Sequence, residues 1–192
     1  MAAVTSETAG PPGPPAEVWV AGTVRVGRSG IEGDGLFATA VLPAGTPVAR
    51  LGGRLVTTAE LARLIAAADA DPTAPYVDSV TVTEDAHLVL PPGTMLHAAN
   101  HACDPNLWLD GPYTLVTRRG VAAGEELTVD YATVSGAGGL DLACRCGGPT
   151  CRGRVTSDDW RRPDLQARYR GHWVPALAAR IARAPGAREL ER

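Results

Sequence analysis

The chain contains four cysteines, and their spacing constrains the fold more than any other feature of the sequence. Three fall in Cys144-Arg145-Cys146-Gly147-Gly148-Pro149-Thr150-Cys151, near the C-terminal end. The fourth, Cys103, lies in Asn100-His101-Ala102-Cys103-Asp104-Pro105-Asn106. Cys-x-Cys makes a poor disulfide, because a one-residue gap rarely gives the separation and dihedral that the bond needs. Tetrahedral Zn²⁺ accepts four thiolates, and structural zinc sites are closed in this way. The simplest reading is one structural zinc held by Cys103, Cys144, Cys146 and Cys151, with free or redox-active thiols as the alternative. Such an ion staples the tail to a loop far upstream. That loop also carries Asn100 and His101, so the metal is expected to hold the tail over a functional site.

With 192 residues, 45% hydrophobic and 20% charged, the chain is long enough for one globular domain with a real core. A net charge of −3 gives no sign of nucleic-acid binding. All 18 basic residues are arginine, so the chain has no side-chain lysine of its own to modify. Together with the abundant Ala, Gly and Pro, this usage points to a GC-rich, bacterial genome. No apolar run spans a bilayer, and the N-terminus lacks the pattern of a signal peptide. A cytoplasmic location is therefore expected, where reduced thiols favour a metal over disulfides.

The expected architecture is mostly β, with inserted and C-terminal helices (α+β). Residues 1–15, with Gly10-Pro11-Pro12-Gly13-Pro14-Pro15, read as a disordered arm. Strands are expected at 18–20, 23–26, 36–39 and 47–51, with a glycine-rich loop at 27–35. Thr57-Thr58-Ala59-Glu60 is a capping box opening a helix to about Ala68, with Leu61, Leu64 and Ile65 on one face and Asp71-Pro72 as its stop. Segments 77–83 and 87–90 form a hairpin around Glu84-Asp85. Strands at 113–117 and 126–129 close the core, and 135–139 is a flexible link to the cysteines. Asp158-Asp159 is expected to cap a helix from Trp160 to Tyr169, followed by an amphipathic helix over 174–184. Many short strands with one inserted helix argue against a doubly wound α/β sheet.

Five motifs in order carry a resemblance: Gly33-Asp34-Gly35-Leu36-Phe37-Ala38-Thr39, Leu42-Pro43-Ala44-Gly45, Asn100 to Asn106, Gly124-Glu125-Glu126-Leu127-Thr128-Val129-Asp130-Tyr131, and the Cys-x-Cys-x4-Cys tail. Over roughly residues 18–155 the chain resembles the SET-domain protein lysine methyltransferases with a post-SET zinc segment. The resemblance implies a SET domain over 16–134 and a zinc segment over 135–155, and the helical pattern beyond it makes 156–192 a C-terminal extension. It implies a fold of short strands with a knot-like crossing that brings Asn100 near Tyr131. It further implies that S-adenosylmethionine (SAM) is held by Glu32, Gly33, Asp34, Gly35, Asn100, His101 and Tyr131. Tyr131, and more weakly Tyr76, take the catalytic places, and the methyl acceptor is the lysine amine of another protein. Glycine suits such a loop because it lets main-chain groups approach a ligand closely.

Taken alone, each piece has a plainer reading. The glycines make a turn, Asn100-His101 a capped turn, and Tyr131 a core residue. His87 and His97 read as structural or exposed. The arginines at 161–162 and at 168 and 170 read as a solvated face, with a nucleic-acid patch as the minor alternative. Trp160 and Trp173 read as core anchors or a cofactor cover. Three departures from the family pattern, Arg50-Leu51-Gly52-Gly53-Arg54, His97-Ala98-Ala99 and Val129, imply a wider or reshaped pocket. They keep open two other readings: a SAM-binding scaffold without transfer, and an enzyme acting on a small molecule. The oligomeric state is not encoded in any motif.

Overall fold

The computed structural model describes residues 13–136 and 139–184. Most of the expected N-terminal arm therefore lies outside the described residues, as does the middle of the 135–139 link. The described chain forms twelve short strands: β1 (Trp19–Val20), β2 (Val24–Arg28), β3 (Asp34–Ala38), β4 (Pro47–Arg50), β5 (Arg54–Val56), β6 (Ser79–Thr83), β7 (Ala86–Val89), β8 (Leu107–Asp110), β9 (Thr114–Thr117), β10 (Glu126–Leu127), β11 (Asp141–Ala143) and β12 (Arg154–Thr156). Three α-helices join them: α1 (Thr58–Ala70), α2 (Pro163–Arg168) and α3 (Pro175–Arg183). The fold is thus mostly β with inserted and C-terminal helices, as the sequence implies.

The strands pair antiparallel in small sheets ordered β1-β4-β9-β8, β10-β3-β2, β5-β7-β6 and β11-β12. Their inner faces, with Leu36, Val48, Leu88, Leu107, Leu109 and Leu127 almost fully buried, share one core. Burying each such side chain contributes about 1.5–3 kcal/mol against the entropy of ordering it.

Thr57 caps α1, its hydroxyl accepting from the Glu60 N–H at 3.2 Å, and the helix ends where Asp71 turns extended before Pro72. The expected apolar face is only partly used for the core. Leu61 is buried, whereas Ile65 stays exposed at the rim of a cavity. The hairpin around Glu84-Asp85 forms as expected between β6 and β7.

One expectation needs correction. Asp158 makes no side-chain cap, and the helix expected over 160–169 is a 3₁₀ turn at Asp159–Arg161 followed by α2. Pro163 explains the break, since a proline can start a helix but cannot donate within one. Beside the part of the 135–139 link that lies outside the described residues, Gly136 N–H donates to Thr81 Oγ1 at 3.2 Å, and its carbonyl accepts from Arg180 at 2.7 Å.

The glycine pair that departs from the family pattern has a packing reason. A Cβ on Gly52 would lie 2.0 Å from the Glu17 carbonyl oxygen, and one on Gly53 would lie 2.1 Å from that of Val89. The N-terminal segment crosses here, with Gly53 N–H donating to the Pro15 carbonyl at 2.9 Å. Only glycine lets these backbones meet.

Candidate functional site

The segment 100–107 runs beside 126–131. A parallel bridge pairs His101 with Val129; Val129 N–H donates to the Asn100 carbonyl at 3.0 Å, and Leu107 N–H to that of Thr128 at 3.0 Å. Buried Asn106 locks the approach, accepting from Thr128 N–H at 2.9 Å and donating to the Glu126 carbonyl at 2.8 Å. This juxtaposition, the one that a knot-like crossing requires, brings Asn100 and Tyr131 together.

Three consecutive residues then face three different places. Ala99 lines a cavity, and its carbonyl accepts from the Tyr131 hydroxyl at 2.8 Å. Asn100 turns to the glycine loop. Its amide approaches the carbonyls of Glu32 and Asp34 at 3.0 Å each and Glu126 Oε1 at 2.9 Å. His101 is buried and turns to the cysteines. Its Nδ1 accepts from Tyr131 N–H at 3.2 Å, which leaves Nε2 to donate to Cys103 Sγ at 3.3 Å. Burial holds this imidazole below its ordinary value despite the pull of Asp130, so it is neutral. The His101 side chain is thus committed to the thiol cluster and to the Tyr131 N–H.

In the glycine loop, Ser29 N–H donates to the Gly33 carbonyl at 3.1 Å, and Ser29 Oγ receives Ile31 N–H at 2.8 Å and donates to Glu126 at 2.7 Å. Gly33 adopts φ +49°, with open space where a side chain would stand. Gly35 packs against the Glu126 carboxylate, which a Cβ there would displace. Converging carbonyls, an amide and an approachable main chain beside the Tyr131 segment fit the ammonium and carboxylate ends of an amino-acid-bearing cofactor.

The four cysteine sulfurs all lie within 4.8 Å of one another, and Cys103 and Cys144 are 3.7 Å apart. A Zn–S distance of about 2.3 Å in a tetrahedron requires S–S edges of about 3.8 Å, so the donor set fits a structural zinc. Main-chain N–H groups already point at the sulfurs: Arg152 N–H to Cys103 at 3.2 Å and Gly153 N–H to Cys151 at 3.4 Å. Burial pushes the Cys103 and Cys144 thiols up. Against the same push, N–H groups of Cys103 and Gly148 bring Cys146 down to about 7. Cys144, Cys146 and Cys151 occupy the loop at the tip of the β11-β12 hairpin, closed by Cys144 N–H donating to the Gly153 carbonyl at 2.9 Å.

That hairpin walls a cavity of about 760 Å³. Tyr131 and Tyr76 both line it, together with Asp78, His97 and the residues 139–142 that lead into Cys144. Leu51, Ala99 and Val129, three of the departures noted in the sequence, are also on its wall. Tyr76 is 77% exposed at the mouth, whereas Tyr131 is half-buried. Burial first, then the charges of Asp78 and Tyr76, push the Tyr131 phenol up to about 12, so it remains a hydrogen-bond donor at neutral pH.

Behind Tyr131 lies a buried ionic network. Arg152 donates to both carboxylate oxygens of Asp130 at 2.6 and 2.8 Å, and Tyr169 OH donates to the same group at 2.9 Å. Arg152 also faces Asp159 at 3.0 Å, off hydrogen-bond alignment. Arg168 adds a bond to the Cys103 carbonyl at 2.8 Å. The C-terminal helices are thus tied to both the cluster and the Tyr131 segment. Trp173 is buried as a core anchor, edge-on to Tyr169; neither it nor Trp160 lines the cavity. His87 is structural as expected, paired with Thr58 at 2.9 Å, but His97 belongs to the cavity. Asp78, Asp130 and Arg152 were missed in the sequence. Their one signal is adjacency: Asp78 follows Tyr76 by two residues, and Asp130 and Arg152 each neighbour a site residue.

The family model described as the SET domain matches residues 33–132. A histone-lysine N-methyltransferase of Arabidopsis thaliana is 32% identical over 157 residues, covering 73% of this chain and 14% of that protein. A second histone-lysine N-methyltransferase, from Xenopus tropicalis, is 34% identical over 86 residues, 32% of this chain and 21% of the relative. A SET domain-containing protein of Phaeosphaeria nodorum is 39% identical over 66 residues, 31% of this chain and 11% of its own length. The chain thus spans less than a quarter of the length of these relatives. The matched region begins at the glycine loop and ends just beyond Tyr131, so motif order, site geometry and likeness agree: the chain belongs to the SET-domain family.

Proposed function

We propose that this protein is a SAM-dependent methyltransferase that modifies the lysine side-chain amine of another protein. The observation that carries the reading is the half-buried Tyr131 phenol on the cavity wall, bonded to the carbonyl of Ala99, the residue before the Asn100 that holds the glycine loop. When bound, SAM supplies an activated methyl group and a neutral leaving group. Glu32, Gly33, Asp34, Gly35 and Asn100 would hold it on their side of the 99–101 segment, and the acceptor would enter from the cavity. Tyr131 orients the amine and opposes charge at the reacting nitrogen with its oxygen dipole, and Tyr76 guards the mouth. Leu51, Leu90, Leu96, Leu115 and Val129 exclude water, which favours the uncharged, nucleophilic amine. Holding two reactants in line supplies several kcal/mol of the roughly 7–11 kcal/mol available from orientation.

The zinc role is structural: Cys103, Cys144, Cys146 and Cys151 would hold β11 against the cavity. A cytoplasmic setting, where thiols stay reduced, suits this cluster. Because the chain has no lysine, any methyl-lysine formed lies on a partner. Purified protein incubated with methyl-labelled SAM and a cell lysate should place label on lysine, detected by mass spectrometry of digested proteins. Absence of label with zinc supplied rejects the reading. The cavity volume favours one second reading, a free small-molecule amine as acceptor. Faster labelling of free amines than of any peptide lysine would establish it.

A further inference from the structure

The cavity is rich in carboxylates: Asp69, Asp71, Asp78 and Asp141 line it together with the imidazole of His97, and no arginine among the described residues does. Three of these carboxylates have other business or sit at the edge. Asp141 pairs with Arg154, Asp71 accepts from Thr73, and Asp69 is exposed. Asp78 differs. It shares the wall with Tyr76, His97 and Tyr131, among buried Leu51, Leu90, Leu96, Leu115 and Val129. Its main chain is fixed to the sheet, the carbonyl accepting from Leu90 N–H at 3.0 Å, so the side chain is presented from a rigid strand end. Among the described residues no arginine forms an ion pair with it. His97 on the same wall and the Ser79 N–H offset the cost of burying this carboxylate only in part, and an ammonium ligand would supply the cationic partner that no arginine gives.

We infer that Asp78 is the acceptor-recognition residue of this cavity: its carboxylate binds the incoming primary ammonium beside Tyr131 and takes up the proton that the amine must lose. This rests on the methyltransferase reading above. The exchange balances within the pair: R–NH₃⁺ and the carboxylate become R–NH₂ and the carboxylic acid, which frees the nitrogen lone pair for methyl transfer. The proton then leaves to solvent at the mouth. Water makes this transfer unfavourable, but the cavity shifts both partners. Burial pushes the Asp78 carboxyl up despite the opposing charge of His97, and desolvation pulls a lysine amine down. In a low dielectric the neutral pair competes with the ion pair. The same carboxylate acts on the phenols of Tyr131 and Tyr76, which places it within electrostatic reach of both.

The test uses the full chain, labelled SAM, and a degenerate peptide library with one fixed central lysine. A matched library carries the neutral isostere hydroxynorleucine in its place. For the wild type, the neutral library should compete at least about tenfold more weakly than lysine peptides bind, as expected for a lost charge-assisted hydrogen bond. Asp78→Asn should lose about tenfold or more in kcat/KM, raise KM and erase that preference, with SAM affinity unchanged; Asp78→Glu should recover part of the loss. Equal competition by the neutral library on wild-type protein overturns the assignment whether or not any variant folds. So does an Asp78→Asn enzyme with wild-type kcat/KM. Failure of the wild type to label any lysine peptide instead rejects the underlying reading.

Discussion

At the scale of single residues, the division of labour among Ala99, Asn100 and His101 places cavity, glycine loop and thiol cluster within three positions of the chain. Asn100 can donate only two protons to its three neighbouring acceptors, so its loss frees the Glu32 and Asp34 carbonyls together. Each such bond is worth about 1 kcal/mol net, so Asn100→Ala should lower the thermal midpoint by roughly 4–8 °C and, by loosening the loop, raise the SAM dissociation constant about tenfold, measured by calorimetry. Tyr131 has a distinct alkaline signature. Its phenol stands at about 12 in the fold against 10.0 unperturbed. The folded state therefore binds more protons than the unfolded chain between those values, and stability falls as pH rises through that window. Denaturant unfolding followed from pH 9 upward should show a slope that Tyr131→Phe reduces, the raised phenols of Tyr76, Tyr113 and Tyr169 keeping the rest.

At the scale of elements, the β11-β12 hairpin does two things: its tip carries three of the four thiols and its first strand walls the cavity. Metal binding and local order are coupled. A strong chelator should release about one zinc per chain, the closed site that four thiolates make. It should also raise KM for the protein substrate more than it changes the rest of the fold. Hydrogen exchange over 139–156 should speed up and recover when zinc is returned. Unchanged exchange would separate the cluster from the cavity. Arg152, one residue past Cys151, ties the same hairpin to Asp130 and Asp159. Its removal leaves buried carboxylates uncompensated. Arg152→Met should therefore cost about 3–5 kcal/mol in chemical denaturation, and adding Asp130→Asn should recover part of it.

At the scale of the whole molecule, local signals proved legible and distant ones did not. The Thr57 cap, the hairpin at Glu84-Asp85 and the convergence of the four cysteines could be read directly, because each follows from residue type at short spacing or from a metal's demand for donors. The break at Pro163 was also visible in principle, but the capping potential of Asp158-Asp159 masked it; Asp159 faces Arg152 instead. The directions of the Asn100 and His101 side chains are not legible in the local Asn-His pattern, because segments 126–131 and 144–152 set them. Asp78 and Arg152 gave no periodic or motif signal, and Asp130 stands inside the Tyr131 motif without anything there that names its partners. Their roles arise only when four separate stretches of chain meet around one cavity.

The measurement that bears most directly on that cavity as a methyl-transfer site is the turnover of Tyr131→Phe beside its affinity for SAM. Loss of the hydroxyl that orients the acceptor should lower kcat about 100-fold or more while the SAM dissociation constant stays within about twofold of wild type. A Tyr131→Phe enzyme that transfers methyl groups to lysine at the wild-type rate would contradict the account.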